Sequence, residues 1–400
     1  MASLFGQSRR ARDAGRGRSV KIADLRVREV SVPRIYETHA STTRRFQTDD
    51  DHTRSRYQIV ELFTDDGQVG LGEVSDVAGR MDALSAVELR DLLAGVTLGA
   101  DLAKWREIYA RAATALPKSY HPELRGLTLF AVEIALLDLV GKKYDAPLYE
   151  LLGGRVHDHV DVSWVAFLRG DVPLEKELES LADEIGEKVR EDFRSFKLKV
   201  GEDHRRDLAR IELFRQIAGP DTYLKVDASG VWEEAEAIQK LQDMSEAGVD
   251  ACETPLDAVS RPVANDDPEQ INARADDVAK ALARVREASP VDIIEHVADL
   301  DDGFSAALAR HRAVDVINVI PSQGGGILRS QRLIHVAEAV GVPRPPWQYH
   351  RNGPRHGCIR TSRRRIEKPN RSIGPGQPGP PRRRHLHRAI PVRKRYPETF

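Results

Sequence analysis

The chain has 400 residues, is 40% hydrophobic and 31% charged, and carries a formal net charge of −1. That length suits two domains, or a barrel with a cap, better than one small core. No run of about 18 apolar residues occurs, which excludes a membrane-spanning helix. Two cysteines, Cys252 and Cys358, exclude a disulfide framework and fit a reducing cytoplasm. Residues 1–20 hold Arg9, Arg10, Arg12, Arg16 and Arg18 with no apolar stretch behind them. They read as a disordered leader and not as a secretory signal.

In chain order, Val20 to Val32 alternates roughly between apolar and charged residues, as a strand does. Tyr57 to Phe63 is a second run, Thr64-Asp65-Asp66-Gly67-Gln68 is a turn with Asp-Gly chemistry, and Val69 to Val74 returns as the partner strand. A polar loop, about Glu37 to Arg56, separates the first two strands. Helical patterns run from about 83 to 150, and Leu127 to Val140 is apolar nearly all round, which predicts a buried helix. Leu151-Leu152-Gly153-Gly154 ends a short helix and marks a domain boundary. The chain therefore divides into a leader (1–20), an α+β capping domain (21–150), a barrel (151–342) and a tail (343–400).

From about residue 160 strand and helix alternate. Strands are expected at Val160–Ala166, Phe196–Val200, Tyr223–Asp227, Val249–Glu253, Val291–Glu295 and Val314–Ile320, each followed by a helical pattern. Six such units predict parallel strands with right-handed crossovers, in a (β/α) barrel rather than an open sheet. The strands carry Lys197 and Lys199, then Asp227, Glu253 and Glu295, at or near their ends. In a parallel barrel those ends share one face, where catalytic groups collect. Three carboxylates converging alone would repel, whereas Mg²⁺ among them makes them hard oxygen ligands. Period two sends Lys197 and Lys199 to the same side, and Lys225 and Asp227 likewise, with Lys225 deeper. The two lysines beside such a cation read as a base and an electrostatic partner. The bland alternatives are a solvated strand face for the lysines and a helix cap or an arginine pair for Glu253 or Glu295.

The chain resembles the enolase superfamily, in its mandelate racemase and muconate-lactonizing branch, from about Lys21 to Val342. The resemblance is carried by Ala131–Lys143 with Pro147–Gly154, the Lys197-x-Lys199 pair, Val226-Asp227-Ala228-Ser229, Glu253-Thr254-Pro255-Leu256, and Asp315 through Gly326. It implies an α/β fold with a modified (β/α)₇β barrel and an α+β cap. It implies one Mg²⁺, with Mn²⁺ as the alternative, held by Asp227, Glu253 and Glu295. Lys199 would remove a proton α to a carboxylate, and Lys197 would hold the carboxylate and help keep Lys199 partly neutral. The substrate would be a small organic acid and the enzyme a homo-oligomer, with neither membrane nor nucleic acid as a partner. A muconate cycloisomerase-like reaction comes first, with an acid-sugar dehydratase or a racemase as alternatives. Thr43 and Arg44 fall in the loop that closes over the substrate in the family. Ser229 and His296 are further candidates for substrate contact. The triple glycine at 324–326 reads as a tight turn whose amides could meet a substrate anion.

The pattern is broken in places. The second lysine that several members carry on the sixth strand would fall at Val319 or Ile320. The usual Asn two residues after the first metal-binding Asp is Ser229, and the acidic residue that often follows the third ligand is His296. Strand alternation then points His296 outward. One base on one face favours elimination or cyclisation over racemisation.

The end departs most. Residues 343–400 contain 16 Lys and Arg against 2 Asp and Glu, 11 of the 22 prolines and six Ile, Leu or Val. Of the chain's 61 basic and 62 acidic residues, 45 and 60 precede them, a formal −15. Such a segment cannot supply two buried barrel strands. A reading-frame shift near 343 accounts for it, and would make the chain an inactive product with a truncated barrel. A natural disordered tail is the alternative. No aromatic or helical pattern organises its arginines for nucleic acid.

Overall fold

The computed structural model describes residues 19–34, 54–75, 77, 83–169, 172–256, 268–298, 300, 302–339 and 341. The leader to residue 18, the loop with Thr43 and Arg44, the polar insertion at 257–267 and the tail from 343 lie outside them. An antiparallel sheet opens the chain, with strands β1 (Ile22–Pro33), β2 (Arg54–Thr64) and β3 (Val69–Val74) in that order. The β2–β3 turn places Gly67 at φ 87°, as its Asp-Gly sequence predicts.

Three helices complete this half, the first and third packing on the sheet and the second on the other two. Helix α1 (Ala86–Thr97) starts with a reciprocal capping box between Ser85 and Glu88. Helix α2 (Trp105–Ala115) follows a short 3₁₀ turn. Helix α3 (Pro122–Tyr144) has Pro122 in its first turn, where a missing N–H does no harm, and ends at Asp145 in the left-handed conformation. Leu25, Val60, Leu62, Leu89, Leu93, Ile108 and Leu136 form the core of this half. Helix α3 is buried nearly all round because it also meets the second half of the chain. Its fit against β3 needs Gly72, where a Cβ would overlap the Ala131 carbonyl oxygen.

After a single helical turn, α4 (Leu148–Leu151), a six-stranded parallel sheet is built in chain order. Its strands are β4 (Ser163–Ala166), β5 (Ser195–Lys199), β6 (Tyr223–Asp227), β7 (Ala251–Glu253), β8 (Asp292–His296) and β9 (Val316–Asn318). Between and after them run α5 (Leu174–Arg190), α6 (His204–Ala218), α7 (Glu234–Glu246), α8 (Pro268–Ala288), α9 (Asp302–His311) and α10 (Ile327–Ala339). The strands are shorter than the apolar runs suggest: β4 begins at Ser163, not Val160, and β9 spans three residues.

Each strand has an outer face against the helices and an inner face. Phe196, Leu198, Leu224, Val226, Cys252, Ile293 and Ile317 join Leu181, Phe214, Leu241 and Phe304 of the helices in the larger core. Burying a side chain such as Phe214 stabilises by roughly 1.5–3 kcal/mol. Ala251, Ile294 and Val316 form a separate small cluster with Tyr223 on the inner face. The upper inner face is left for polar groups.

The turn after β9 is gripped by the capping half. A Cβ on Gly126 of α3 would overlap the Gln323 carbonyl oxygen. Tyr109 Oη donates to the Gly325 carbonyl at 2.5 Å, and Gln323 Nε2 donates to Glu123 Oε1 at 2.8 Å. Glu133 of α3 is buried, and its carboxylate accepts the Ile327 N–H at the start of α10. The triple glycine forms the tight turn read from sequence, with the Gly324 and Gly326 N–H groups donating to the Ile320 and Pro321 carbonyls, and the next amide, that of Ile327, meets an internal anion, Glu133.

Candidate active site

The strand register decides which side chains meet. Lys197 pairs with Lys225, which pairs with Ala251, and Lys199 pairs with Asp227, which pairs with Glu253, so these residues share the inner face, and Lys225 is one step deeper than Asp227. The ends of β5, β6 and β7 bring the four polar groups into contact. Lys199 Nζ donates to Asp227 Oδ2 at 2.8 Å. Lys197 Nζ bridges Asp227 Oδ2 at 3.2 Å and Glu253 Oε2 at 3.0 Å. The side chains of Asp227 and Glu253 are only 6% and 2% exposed, whereas those of Lys197 and Lys199 are 14% and 15% exposed. The carboxylates form the floor, and the ammonium groups reach the opening.

Ser229 holds Asp227 in place. It takes a left-handed conformation, φ 54°, and both its N–H (2.9 Å) and its Oγ (3.2 Å) donate to Asp227 Oδ1. This is the local turn that Asp favours. Ser229 Oγ also lies 3.3 Å from Lys199 Nζ. Its polar contacts go to Asp227 and Lys199, so it orients both. On the far side Asn318 Nδ2 donates to Glu253 Oε1 at 2.8 Å. Asn318 was not singled out from sequence. Its signal was there: two residues along β9 from the inward-facing Val316, it must face inward too.

Charge and burial oppose each other here. For Asp227, burial alone would raise the carboxyl's pKa, but the Lys199 and Lys197 ammonium groups hold it well below the usual range. Glu253 is also lowered: burial and Asp227 push it up, and Lys197, Lys225 and His296 outweigh them. Lys197 is raised, because Glu253 and Asp227 overcome its own desolvation. Lys225, 4% exposed, is lowered to about 8, chiefly by burial. Cys252 on the outer face is a buried thiol pushed far up by burial and by the nearby Asp227, Glu253 and Glu295 charges. It fills space and is not a nucleophile.

Beneath Lys199, Arg210 of α6 donates from Nη1 to the Lys199 carbonyl at 2.5 Å. Its guanidinium is buried and lies 3.2 Å from Glu177 and 3.5 Å from Asp207. Asp207 in turn accepts the Gly201 N–H at 2.9 Å. This buried cluster fixes the backbone that carries the lysine.

Two expectations are corrected by the register of β8. Glu253 pairs with Ile294, and His296 pairs with Asn318, whereas Glu295 pairs with Ile317 of the helix-facing core. Glu295 is therefore not on the Asp227–Glu253 face, and its Oε1 accepts from Thr254 Oγ1 at 3.3 Å. His296, expected to point outward, faces inward, with Nδ1 3.9 Å from Glu253 Oε1. Thr43 and Arg44 lie outside the described residues.

The donors suit a hard divalent cation. Asp227 and Glu253 are buried carboxylates close enough for one ammonium to bridge them. As they stand, no group of three or more His, Cys, Asp and Glu among the described residues is gathered tightly enough to hold a metal ion. The Lys197 ammonium lies between the two carboxylates.

Comparison with known proteins agrees with this architecture. Residues 36–153 match the family model for the mandelate racemase / muconate lactonizing enzyme N-terminal domain, and residues 180–353 match the model for an enolase C-terminal domain-like fold. An N-succinyl-L-Arg/Lys racemase of Bacillus cereus is 26% identical over 296 residues, which cover 71% of this chain and 70% of that one. A muconate cycloisomerase of Acinetobacter lwoffii is 27% identical over 293 residues, covering 71% and 68%. The crystal structure of a dipeptide epimerase from Enterococcus faecalis, complexed with Mg and the dipeptide L-Leu-L-Tyr, superposes with a TM-score of 0.64 at 21% identity over 81% of each chain. The fold is thus that of a capped TIM barrel. The chain belongs to the enolase superfamily, in its mandelate racemase and muconate lactonizing branch, and is an enzyme of the isomerase and lyase kind. No helix among the described residues is long and apolar enough to cross a membrane.

Proposed function

We propose that the chain abstracts the proton α to the carboxylate of a small organic acid, with Lys199 as the base and Mg²⁺ as the cofactor. The observation that carries this reading is the convergence of Lys197, Lys199, Asp227 and Glu253 at the ends of β5, β6 and β7. Asp227 and Glu253 would hold the cation. When bound, it would draw their charge to itself and stabilise the enolate that forms on the substrate.

The protein's own residues do the rest. Lys199 Nζ, at the opening of the site, accepts the α-proton, which requires it to be neutral at that moment. Lys197 stays an ammonium and donates to the substrate carboxylate. Its raised pKa suits a fixed positive charge. Ser229 keeps Asp227 from rotating, and Arg210 fixes the Lys199 main chain. On β9 the inner-face residue nearest Glu253 is Asn318, which does not titrate. A single lysine face supports a cycloisomerase-like reaction ahead of dehydration of an acid sugar. Racemisation, the activity of the Bacillus cereus relative, would need a second base.

The test is exchange of a substrate α-proton with deuterated water in the presence of Mg²⁺, on muconate, acid-sugar and N-acylamino acid substrates. Lys199→Ala should slow exchange by about 10²–10⁴-fold without loss of the circular dichroism spectrum. Exchange that survives the substitution removes Lys199 from the mechanism.

A second reading rests on the change of composition after residue 342. There a shifted reading frame deprives the barrel of its last strands and the product is inactive. Resequencing around codon 343 separates the two, because a one-base correction must then restore apolar strands.

A further inference from the structure

We propose that Glu177 of α5 is a positioning residue for the lysine base: it anchors the arginine that holds the Lys199 main chain, and so sets where Lys199 Nζ stands. The inference rests on the reading of Lys199 as the base and names a buried group on which that reading depends.

A lysine reaches out on a flexible four-carbon stem, so its amine is placed only as well as the peptide that carries it. Lys197 lies inside the sheet, paired with Val165 of β4 on one side and Lys225 of β6 on the other. Lys199 pairs with Asp227 of β6 alone, because β4 pairs no further than Leu198. The Val200 N–H donates to the Asp227 carbonyl at 3.0 Å, on the β6 side. In a trans peptide the Lys199 carbonyl then points the opposite way, and there it accepts from Arg210 Nη1 at 2.5 Å. Arg210 stands where a neighbouring strand would otherwise hold the base.

A buried guanidinium cannot keep such a place unpaired. Arg210 is 1% exposed, and its Nε and Nη2 have no hydrogen-bond partner among the described residues. The charges beside it are Glu177, with Oε1 3.2 Å from Nε, and Asp207, with Oδ1 3.5 Å from Nη1. Burial pulls the Arg210 pKa down, and of the charges that oppose this Glu177 outweighs Asp207. Glu177 is itself fixed through its other oxygen. Arg206 donates to Oε2 from Nη2 at 2.6 Å and from Nε at 3.2 Å, and the same Nη2 donates to the Val172 carbonyl at 2.9 Å. One buried carboxylate thus ties the main chain entering α5 to the main chain that bears the base. Lys197, with a strand on either side, does not depend on it.

The full chain is tested by exchange of the substrate α-proton with deuterated water, on muconate, acid-sugar and N-acylamino acid substrates in the presence of Mg²⁺. Glu177→Gln keeps the shape of the side chain and removes its charge. It should lower kcat by about ten- to a hundredfold, the scale of a misplaced reacting group, with KM changed by less than about twofold. Arg210→Lys should show the same split, and the double variant should be no slower than the slower single one, because both act through one chain of contacts. A kcat that Glu177→Gln leaves unchanged, a loss confined to KM, or losses that multiply in the double variant overturn the positioning role and leave Lys199 as the base. Exchange that survives Lys199→Ala, or no exchange by the parent protein on any of these substrates, overturns both. Should Glu177→Gln fail to fold, Arg206→Lys loosens the same carboxylate from a side chain 33% exposed. That variant should show a smaller loss of kcat at unchanged KM, and an unaltered kcat overturns the role.

Discussion

Asp207 is a buried carboxylate one helical turn from the arginine that holds the Lys199 backbone. Burial pushes its pKa up from 3.8 to about 6, against the pull of the Gly201 N–H and of Arg210. The sign follows from linkage. Between pH 3.8 and about 6 the native state binds more protons than the unfolded chain, so this group makes stability fall as pH rises through that window. About two pKa units correspond to at most about 3 kcal/mol. In Asp207→Asn that fall should disappear from the difference in unfolding free energy measured from pH 4 to 7. A variant whose pH profile parallels the parent's would show that the carboxylate is not perturbed. Residue-level reading of the sequence succeeded where alternation was informative: Lys197 and Lys199 lie two apart, and both face inward. It failed at β8 for a physical reason. Ile293, Ile294, Glu295 and His296 are all buried, as strands covered on both faces are. No polar–apolar alternation remained to say whether Glu295 or His296 faced the acids. Only the hydrogen-bond register with β7 and β9 decides that.

Among the elements, α3 is the most tightly constrained, because it touches β3 on one side and the β9–α10 turn on the other. Gly126 is the point of closest approach, with the Gln323 and Gly325 main chain against its Cα. Gly126→Ala should raise helix propensity by about 1 kcal/mol in isolation but force backbone apart in the protein. We expect a net loss of about 1–3 kcal/mol, seen as a lower urea midpoint with an unchanged slope. A stabilised variant would mean that the turn can move away freely. Helix ends were well marked in the sequence, since Ser85 with Glu88, Pro122 and Asp203 cap by local chemistry. The partner that Gly126 meets was not, because it lies about two hundred residues further along the chain.

At the scale of the whole molecule, the capping half and the parallel sheet have separate cores joined through α3. Glu133 is the central link. It is buried, its pKa is raised by burial despite the Ile327 and Leu328 amides, and it sits beneath the Tyr109 hydroxyl's contact with Gly325. An acceptor shared by both halves should make them unfold together, so near-ultraviolet and far-ultraviolet circular dichroism should give one coincident transition. Glu133→Ala leaves the first amides of α10 without their internal acceptor and should cost about 1–3 kcal/mol, or separate the two signals. Coincident and unshifted curves would show that the link carries no energy. The alternating pattern announced the parallel sheet, but it does not predict this joint. It depends on a carboxylate near residue 130 finding amide groups near residue 327. Anyone exchanging caps between relatives to change substrate choice would therefore have to transplant a matched set: a donor lid lacking the small residue at 126 or the acid at 133 would arrive without the socket that this barrel's glycine turn requires.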